Sequence, residues 1–182
     1  MHYHAKAARS RGEDVIVLSV GVPDFATPVS VIERALQAMR NGDTHYTSIA
    51  GHVELRAAIA ARQAHMTLMG FNLGPLGSMA QERIPYDADV AAAAAANLAA
   101  LSTMSQNGYW LEGTDSSLGN NRAKAEIWTD FEGVSAEAAK LVEASAALAA
   151  VAGDGLDAMR AALGPVGASC GSCHEAYRAP RN

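Results

Sequence analysis

Four stretches of the chain repeat apolar residues at intervals of three and four, the period of a helix with one buried face. From His52 the repeat runs through Leu55, Ile59, Arg62, Met66, Met69, Leu73 and Leu76. Gly70, Gly74, Pro75 and Gly77 fall inside it. They predict a kink, or a close approach to another helix or to a flat ring. Pro85-Tyr86-Asp87 closes this stretch, and Asp87 or Asp89 is placed to cap a second helix over Val90 to Met104, with Leu98, Leu101 and Met104 on its stripe. The run of alanines at 91–96 suits tight contact between helices. Ser105 to Asn121 reads as a long loop holding Tyr109, Trp110, Gly113 and Gly119, of the kind that covers a ligand. A third helix carries Ile127, Phe131, Val134, Ala138, Leu141, Ala144 and Leu148. After a turn at Gly153-Asp154-Gly155, the last helix carries Leu156, Met159, Leu163, Val166, Cys170, Cys173 and Tyr177. Four amphipathic helices with short-to-medium connections predict an all-α fold, an antiparallel four-helix bundle, in which cofactor sites form between facing helices.

The start of the chain has a different texture. Residues 1–13 are polar and read as loose, and Val15 to Val20 as a short buried strand ending in a turn at Gly21-Val22-Pro23-Asp24. Thr27 is a candidate N-cap with Pro28 in the first helical position. Val29, Ile32, Leu36 and Met39 then share one helical face, and Asn41-Gly42 ends the helix. The expected organisation is a short α/β-like extension over residues 1–55 and the bundle over 56–182. Charge divides in the same way. Residues 1–61 carry six Lys/Arg and six Asp/Glu, residues 62–182 eight and thirteen, so the net −5 arises in the second stretch.

The sharpest chemical signal lies in the last helix: Cys170-Gly171-Ser172-Cys173-His174. This is the C-x-x-C-H pattern of covalent c-type haem attachment. Positions three and four apart share a helix face, so both cysteines can reach the two vinyl groups of one porphyrin. His174 rises from the same face onto the iron, as a proximal ligand does. Competing readings are weaker. A structural zinc site needs about four Cys or His ligands, and these are the only two cysteines. A thioredoxin-like pair would sit beside a βαβ pattern rather than after Ala-rich helix. A plain disulfide leaves His174 without a role.

From about residue 61 to 182 the chain resembles cytochrome c′, the class II c-type cytochromes. The carriers are Arg62-Gln63-Ala64-His65-Met66-Thr67-Leu68-Met69-Gly70, Pro85-Tyr86-Asp87-Ala88, Gly113-Thr114, Lys124-Ala125-Glu126-Ile127-Trp128, Gly153-Asp154, and Val166 through Arg178. The resemblance implies one covalent haem c on Cys170 and Cys173, held between the first and last bundle helices. It implies His174 as the proximal iron ligand. Arg62 and Gln63 match positions that contact the haem and its propionates, and Met66 the residue that blocks the distal face. Arg122 falls where the family often has a haem contact, although an exposed loop cation is the stronger reading of it. Arg178 matches a basic residue one turn after the histidine. His65 reads as a surface histidine. The implied function is binding of small diatomic gases such as nitric oxide at a five-coordinate, high-spin iron, or electron transfer with redox partner proteins. The alternative is a six-coordinate low-spin carrier with Met66 or Met69 as second axial ligand. A homodimer through the first two bundle helices and a periplasmic location are implied as well, without enzymatic activity.

The extension resembles the N-terminal part of the fold-type-I, aspartate aminotransferase-like family. The carriers are Asp14 through Phe25, Thr44-His45-Tyr46-Thr47, Gly51 and Glu54-Leu55-Arg56, with Val22 where that family usually has Glu. About 60 residues leave no room for a Schiff-base lysine, so an inert extension is expected rather than an aminotransferase, with a pyridoxal-phosphate-binding module as a remote alternative. Composition narrows the rest. The net charge of −5 argues against a nucleic-acid partner. No run approaches about 18 apolar residues, so no membrane insertion is expected. The apolar stretch at Val15–Val22 follows Glu13-Asp14 and ends at Pro23-Asp24, unlike an export signal.

Overall fold

The computed structural model describes residues 2–15, 25–46, 48–118 and 121–180. The chain divides into two compact units, Met1–Tyr46 and Thr47–Asn182.

In the first unit, α1 spans His2–Ser10 and α2 spans Val29–Arg40. The expectation of loose chain over residues 1–13 is corrected by α1. Its sequence, HYHAKAARS, combines three alanines with Lys and Arg, all strong helix formers, and that preference decides the local structure. The helix α2 starts one residue later than expected. Pro28, in extended conformation, takes the cap position, and no side chain caps the helix. The face of Val29, Ile32, Leu36 and Met39 is exposed. The strand expected at Val15–Val20 and the turn after it lie, apart from Val15, outside the described residues.

The second unit is the four-helix bundle. Its helices are α3 (Val53–Ala80), α4 (Ala88–Thr103), α6 (Phe131–Val151) and α7 (Leu156–Tyr177), with one short turn of helix, α5 (Glu126–Thr129), before α6. Asp87 caps α4 by accepting the Val90 N–H at 3.1 Å. The single third helix expected from periodicity is broken between α5 and α6. Asp130 leaves the helical conformation there and accepts the Gly133 N–H at 3.0 Å, as an N-cap does. The helix α3 runs unbroken through Pro75. A Cβ added at Gly70, Gly74 or Gly77 would meet nothing within 4 Å, so these glycines mark no close approach within this chain.

One continuous core joins the four helices. Leu76 and Met79 of α3, Ala91, Ala94, Ala95 and Leu98 of α4, Ala144 and Leu148 of α6, and Met159 and Val166 of α7 are buried together. Each large side chain so buried contributes roughly 1.5–3 kcal/mol, and the alanines let the helices approach. The buried face of α3 keeps Arg62 and Leu76 of the expected stripe, with Leu55, Ile59, Met69 and Leu73 partly buried beside it, and leaves Met66 out. It is formed by Ala58, Arg62, His65, Asn72, Leu76 and Met79, while Met66, Leu68 and Phe71 are exposed. Polar contacts fix helix register: Asn97 Nδ2 donates to Asn72 Oδ1 at 2.9 Å, and the Ser102 and Ser145 hydroxyls lie 2.8 Å apart. At one end Tyr86 Oη donates to the Ala152 carbonyl (2.8 Å) and accepts from the Gly155 N–H (3.0 Å). Gly155 holds φ +123°, a conformation open to glycine, and so turns the chain into α7.

Candidate haem-attachment site

The helix α7 continues through the whole Cys-x-x-Cys-His motif to Tyr177, so Cys170, Cys173 and His174 fall on one face as the spacing requires. Both thiols are free and half-buried. Burial pushes the Cys170 thiol up; for Cys173, burial acts first and the Glu137 charge adds to it. The His174 imidazole is held below its ordinary range, first by burial and then by the cationic Arg178 and Arg122. That favours the neutral ring, which is the ligating form.

The end of α7 is tied down by the segment that precedes α5. Ala123 and Arg178 form an antiparallel bridge. The Lys124 N–H donates to the Tyr177 carbonyl at 3.0 Å, and the Ala179 N–H to the Arg122 carbonyl at 2.9 Å. Lys124 Nζ donates to the Glu175 and Ala176 carbonyls (3.0 and 2.9 Å), and Arg122 Nε to the Ala179 carbonyl (2.7 Å). Carbonyls left over at a helix C-terminus need such donors, and a cation there also suits the helix dipole. Arg122 is thus partly buried and engaged, which corrects its reading as an exposed loop cation. Arg178 is exposed.

The middle of the motif and the last residue of α7 are held from α6 and its capping residue. Ser172 Oγ donates to Glu137 Oε2 at 2.5 Å, and Tyr177 Oη donates to Asp130 Oδ2 at 2.5 Å. Gly133 makes the second contact possible, because a Cβ there would run into both the Tyr177 hydroxyl and the Asp130 carboxylate.

On α3, a neighbour of α7 in the bundle, Arg62 is only 6% exposed. The loop segment 109–114 is built around it. Arg62 Nη1 donates to Thr114 Oγ1 (2.7 Å) and to the Tyr109 carbonyl (3.0 Å), and Nη2 to the Thr114 carbonyl (2.7 Å). The guanidinium lies 4.8 Å from the Trp110 ring centre and 5.8 Å from that of Trp128, within cation–π range. Trp128 Nε1 donates to the Trp110 carbonyl at 3.0 Å, which ties the loop to α5. Gln63 and Met66 are exposed on α3, Met66 at 44%. His65 is 3% exposed, with its ring 6.2 Å from that of Tyr109, so its reading as a surface histidine is corrected. The loop that Arg62 organises folds over it.

These residues suit a haem. The two thiols and the neutral-leaning imidazole share a face, and Arg62 is a buried cation with no carboxylate in ion-pair distance among the described residues. A haem propionate is a counter-ion of the right sign. No group of three or more His, Cys, Asp or Glu among the described residues is arranged to hold a bare metal ion. Periodicity had no means of finding Asp130, Glu137, Thr114 or the two tryptophans as neighbours of the site, since each contact spans many residues. The Asp130-x-x-Gly133 cap is the one local signal among them.

Comparison with known proteins agrees with this geometry. The family model described as Cytochrome C′ matches residues 57–178. Cytochrome c-554 of Cereibacter sphaeroides is 38% identical over 128 residues, 69% of this chain and 95% of that protein. The solved cytochrome c′ from Rhodobacter spheriodes superposes with a TM-score of 0.68 at 36% identity, covering 70% of this chain and 98% of that one. A nitric oxide complex of a variant cytochrome c′ from Alcaligenes xylosoxidans superposes at 0.62 with 32% identity, covering 71% and 99%. A further solved cytochrome c′, distinguished by ligand-controlled dimer dissociation, gives 0.64 at 34% identity, covering 71% and 99%. Separately, 62 residues are 42% identical to the arginine–pyruvate transaminase of Pseudomonas aeruginosa; they are 34% of this chain and 16% of that enzyme, a fragment of it. The chain belongs to the cytochrome c′ family, whose cofactor is a covalently attached c-type haem.

Proposed function

We propose that this chain is a periplasmic haem protein with five-coordinate, high-spin iron, which binds small diatomic ligands such as nitric oxide or passes electrons to redox partner proteins. The observation that carries the proposal is the single face of α7 presenting Cys170, Cys173 and a neutral-leaning His174. In this reading the Cys170 and Cys173 sulfurs form the two thioethers and His174 Nε2 holds the iron. When bound, the haem supplies an iron that exchanges one electron and takes a diatomic ligand at its open position. Arg62, Gln63, Arg122 and Arg178 contact the haem or neutralise its propionates. Met66, an apolar side chain without a donor, crowds the distal side, which disfavours ligands that need polar stabilisation.

Absorption and electron paramagnetic resonance spectra of the ferric and ferrous protein, with and without nitric oxide, test the reading. High-spin spectra that change on adding the gas are expected. A low-spin six-coordinate ferrous spectrum overturns it in favour of methionine ligation. Met66→Leu then identifies the ligand, since the thioether is the only iron-binding group the change removes.

We also propose a homodimer through the exposed side of α3 and α4. Leu68, Phe71 (75% exposed), Leu101 and Met104 surround an apolar groove there. Sedimentation at several concentrations tests this, and a strict monomer excludes it. No helix among the described residues is long and apolar enough to cross a membrane. Residues 1–55 are proposed to be an extension with no part in the haem site.

A further inference from the structure

We propose that Glu137 is a positioning residue of the haem site: its carboxylate, tied to Ser172 inside the attachment motif and flanked by Lys140, lowers the reduction potential of the haem. The inference rests on the assignment of Cys170–His174 as the attachment motif.

The two oxygens of Glu137 are held from different sides. Oε2 accepts from Ser172 Oγ at 2.5 Å and Oε1 from Lys140 Nζ at 2.6 Å. Ser172 stands between Cys170 and His174 in sequence, beside Cys173. The Glu137 carboxylate is therefore fixed against the motif rather than free in solvent. The two charges of the pair are sheltered unequally. The Glu137 side chain is 17% exposed and that of Lys140 60%, so water screens the cation far more than the anion. What remains at the motif is a negative field, from a carboxylate held one hydrogen bond away from Ser172, the neighbour of Cys173. Lys140 and Ser172 in turn hold the Glu137 carboxyl below its usual range, so it is charged at neutral pH.

A second contact locks this arrangement in register. Asp130 stands seven residues before Glu137, two turns of helix, and grips Tyr177 beyond His174. Ser172 and Tyr177 thus bracket Cys173 and His174, one held from α6 and the other from the residue that caps it. A fixed negative charge stabilises the more positive ferric state over the ferrous one, which lowers the potential. The other charges at this end of α7, Arg122, Lys124, Glu175 and Arg178, are the same in every variant below.

Spectroelectrochemical titration of the full-length haem-loaded protein tests the inference. The haem must first resist acid–solvent extraction; if it is extracted, the attachment reading itself fails, independently of Glu137. Glu137→Gln keeps the shape and an acceptor for Ser172 but removes the charge, and an upward shift of the midpoint potential is expected. Lys140→Gln should shift it downward. Ser172→Ala leaves both charges and releases the carboxylate, so a smaller upward shift follows. Glu143→Gln, an exposed carboxylate elsewhere on α6, is the control. Loosening of the fold would move the first two variants in the same direction, whereas a field effect moves them in opposite directions. A shift of the same sign in both, or a Glu137→Gln shift no larger than the control's, overturns the inference.

Discussion

Replacing Arg62 with alanine should destabilise the bundle by about 3–5 kcal/mol, because it strips the donors from a buried hydrogen-bond network and leaves its acceptors unpaired. The structure lets the sum be checked from its parts. The guanidinium makes three hydrogen bonds, two of them to the backbone carbonyls of Tyr109 and Thr114. Each buried carbonyl left without its donor costs about 1–3 kcal/mol. Loss of the contacts with the Trp110 and Trp128 rings adds about 0.5–2 kcal/mol. Relaxation and entering water recover part of this, which brings the total back to the range given. Arg62→Lys should cost less, because a charge remains while the fork that reaches Tyr109 and Thr114 together is lost. Equilibrium unfolding in urea, followed by far-ultraviolet circular dichroism, measures the difference, and Trp110 and Trp128 report the loop by fluorescence. The haem spectrum should shift in the same variants if Arg62 also neutralises a propionate. A cost below about 1 kcal/mol for Arg62→Ala would mean that water replaces the guanidinium freely, and the argument that the loop is built around it would be wrong.

Three further outcomes follow from the contacts between α6 and α7 and from the two-unit division. Gly133→Ala should lower the melting temperature although alanine favours helix by about 1 kcal/mol, because the new Cβ collides with the Tyr177 hydroxyl and the Asp130 carboxylate; a rise in melting temperature refutes the contact. The Tyr177 phenol is pushed up to about 12 by its bond to Asp130, so the bond's contribution should be complete below the unfolded phenol's pKa of about 10 and fade as pH rises to about 12. At the acid end Asp130 is held below the usual carboxylate range, so the same contribution is present above that range and fades as pH falls through the depressed value. The stability difference between Tyr177→Phe and the parent should follow this profile across pH; a difference constant at all pH values excludes it. Removing residues 1–50 behind a working export signal should leave the haem spectrum unchanged, and loss of haem incorporation would make the extension part of the fold.

The helices were legible because their signals are local. Apolar spacing, Asp87 before the alanine run and the glycine turn at 153–155 act within a few residues, and each appears where the sequence places it. The faces were less legible. On α3 the buried face contains Ala58, Arg62, His65 and Asn72, which hydrophobicity ranks low, while Leu68 and Phe71 are exposed. The period placed Arg62 and Leu76 inward and left Leu68 and Phe71 off the stripe, but it carried Met66 inward and passed over His65 and Asn72, whose burial depends on partners outside the helix. His65 was misread for the same reason: the loop, not the helix, decides its burial. The break at Asp130 was open to discovery, because an acidic residue three before a glycine N–H is a capping pattern; the apolar period running across it concealed the signal.

The haem site divides along the same line. The proposed covalent half is written in five consecutive residues, since thioether spacing and helix geometry are both local. Its polar half is assembled from distant pieces. Glu137 meets Ser172 across 35 positions, Asp130 meets Tyr177 across 47, and Arg62 meets Thr114 across 52. Nothing in the sequence near Ser172 requires a carboxylate opposite it; the pairing exists because α6 and α7 lie side by side in a fixed register. A substitution of Cys170, Cys173 or His174 therefore acts on whether haem is held, whereas one of Glu137, or of the Ser172 it grips, acts on the charge and orientation around the residues that hold it. The two kinds of change are separable by experiment: the first alters haem content, and the second alters potential and stability at constant haem content.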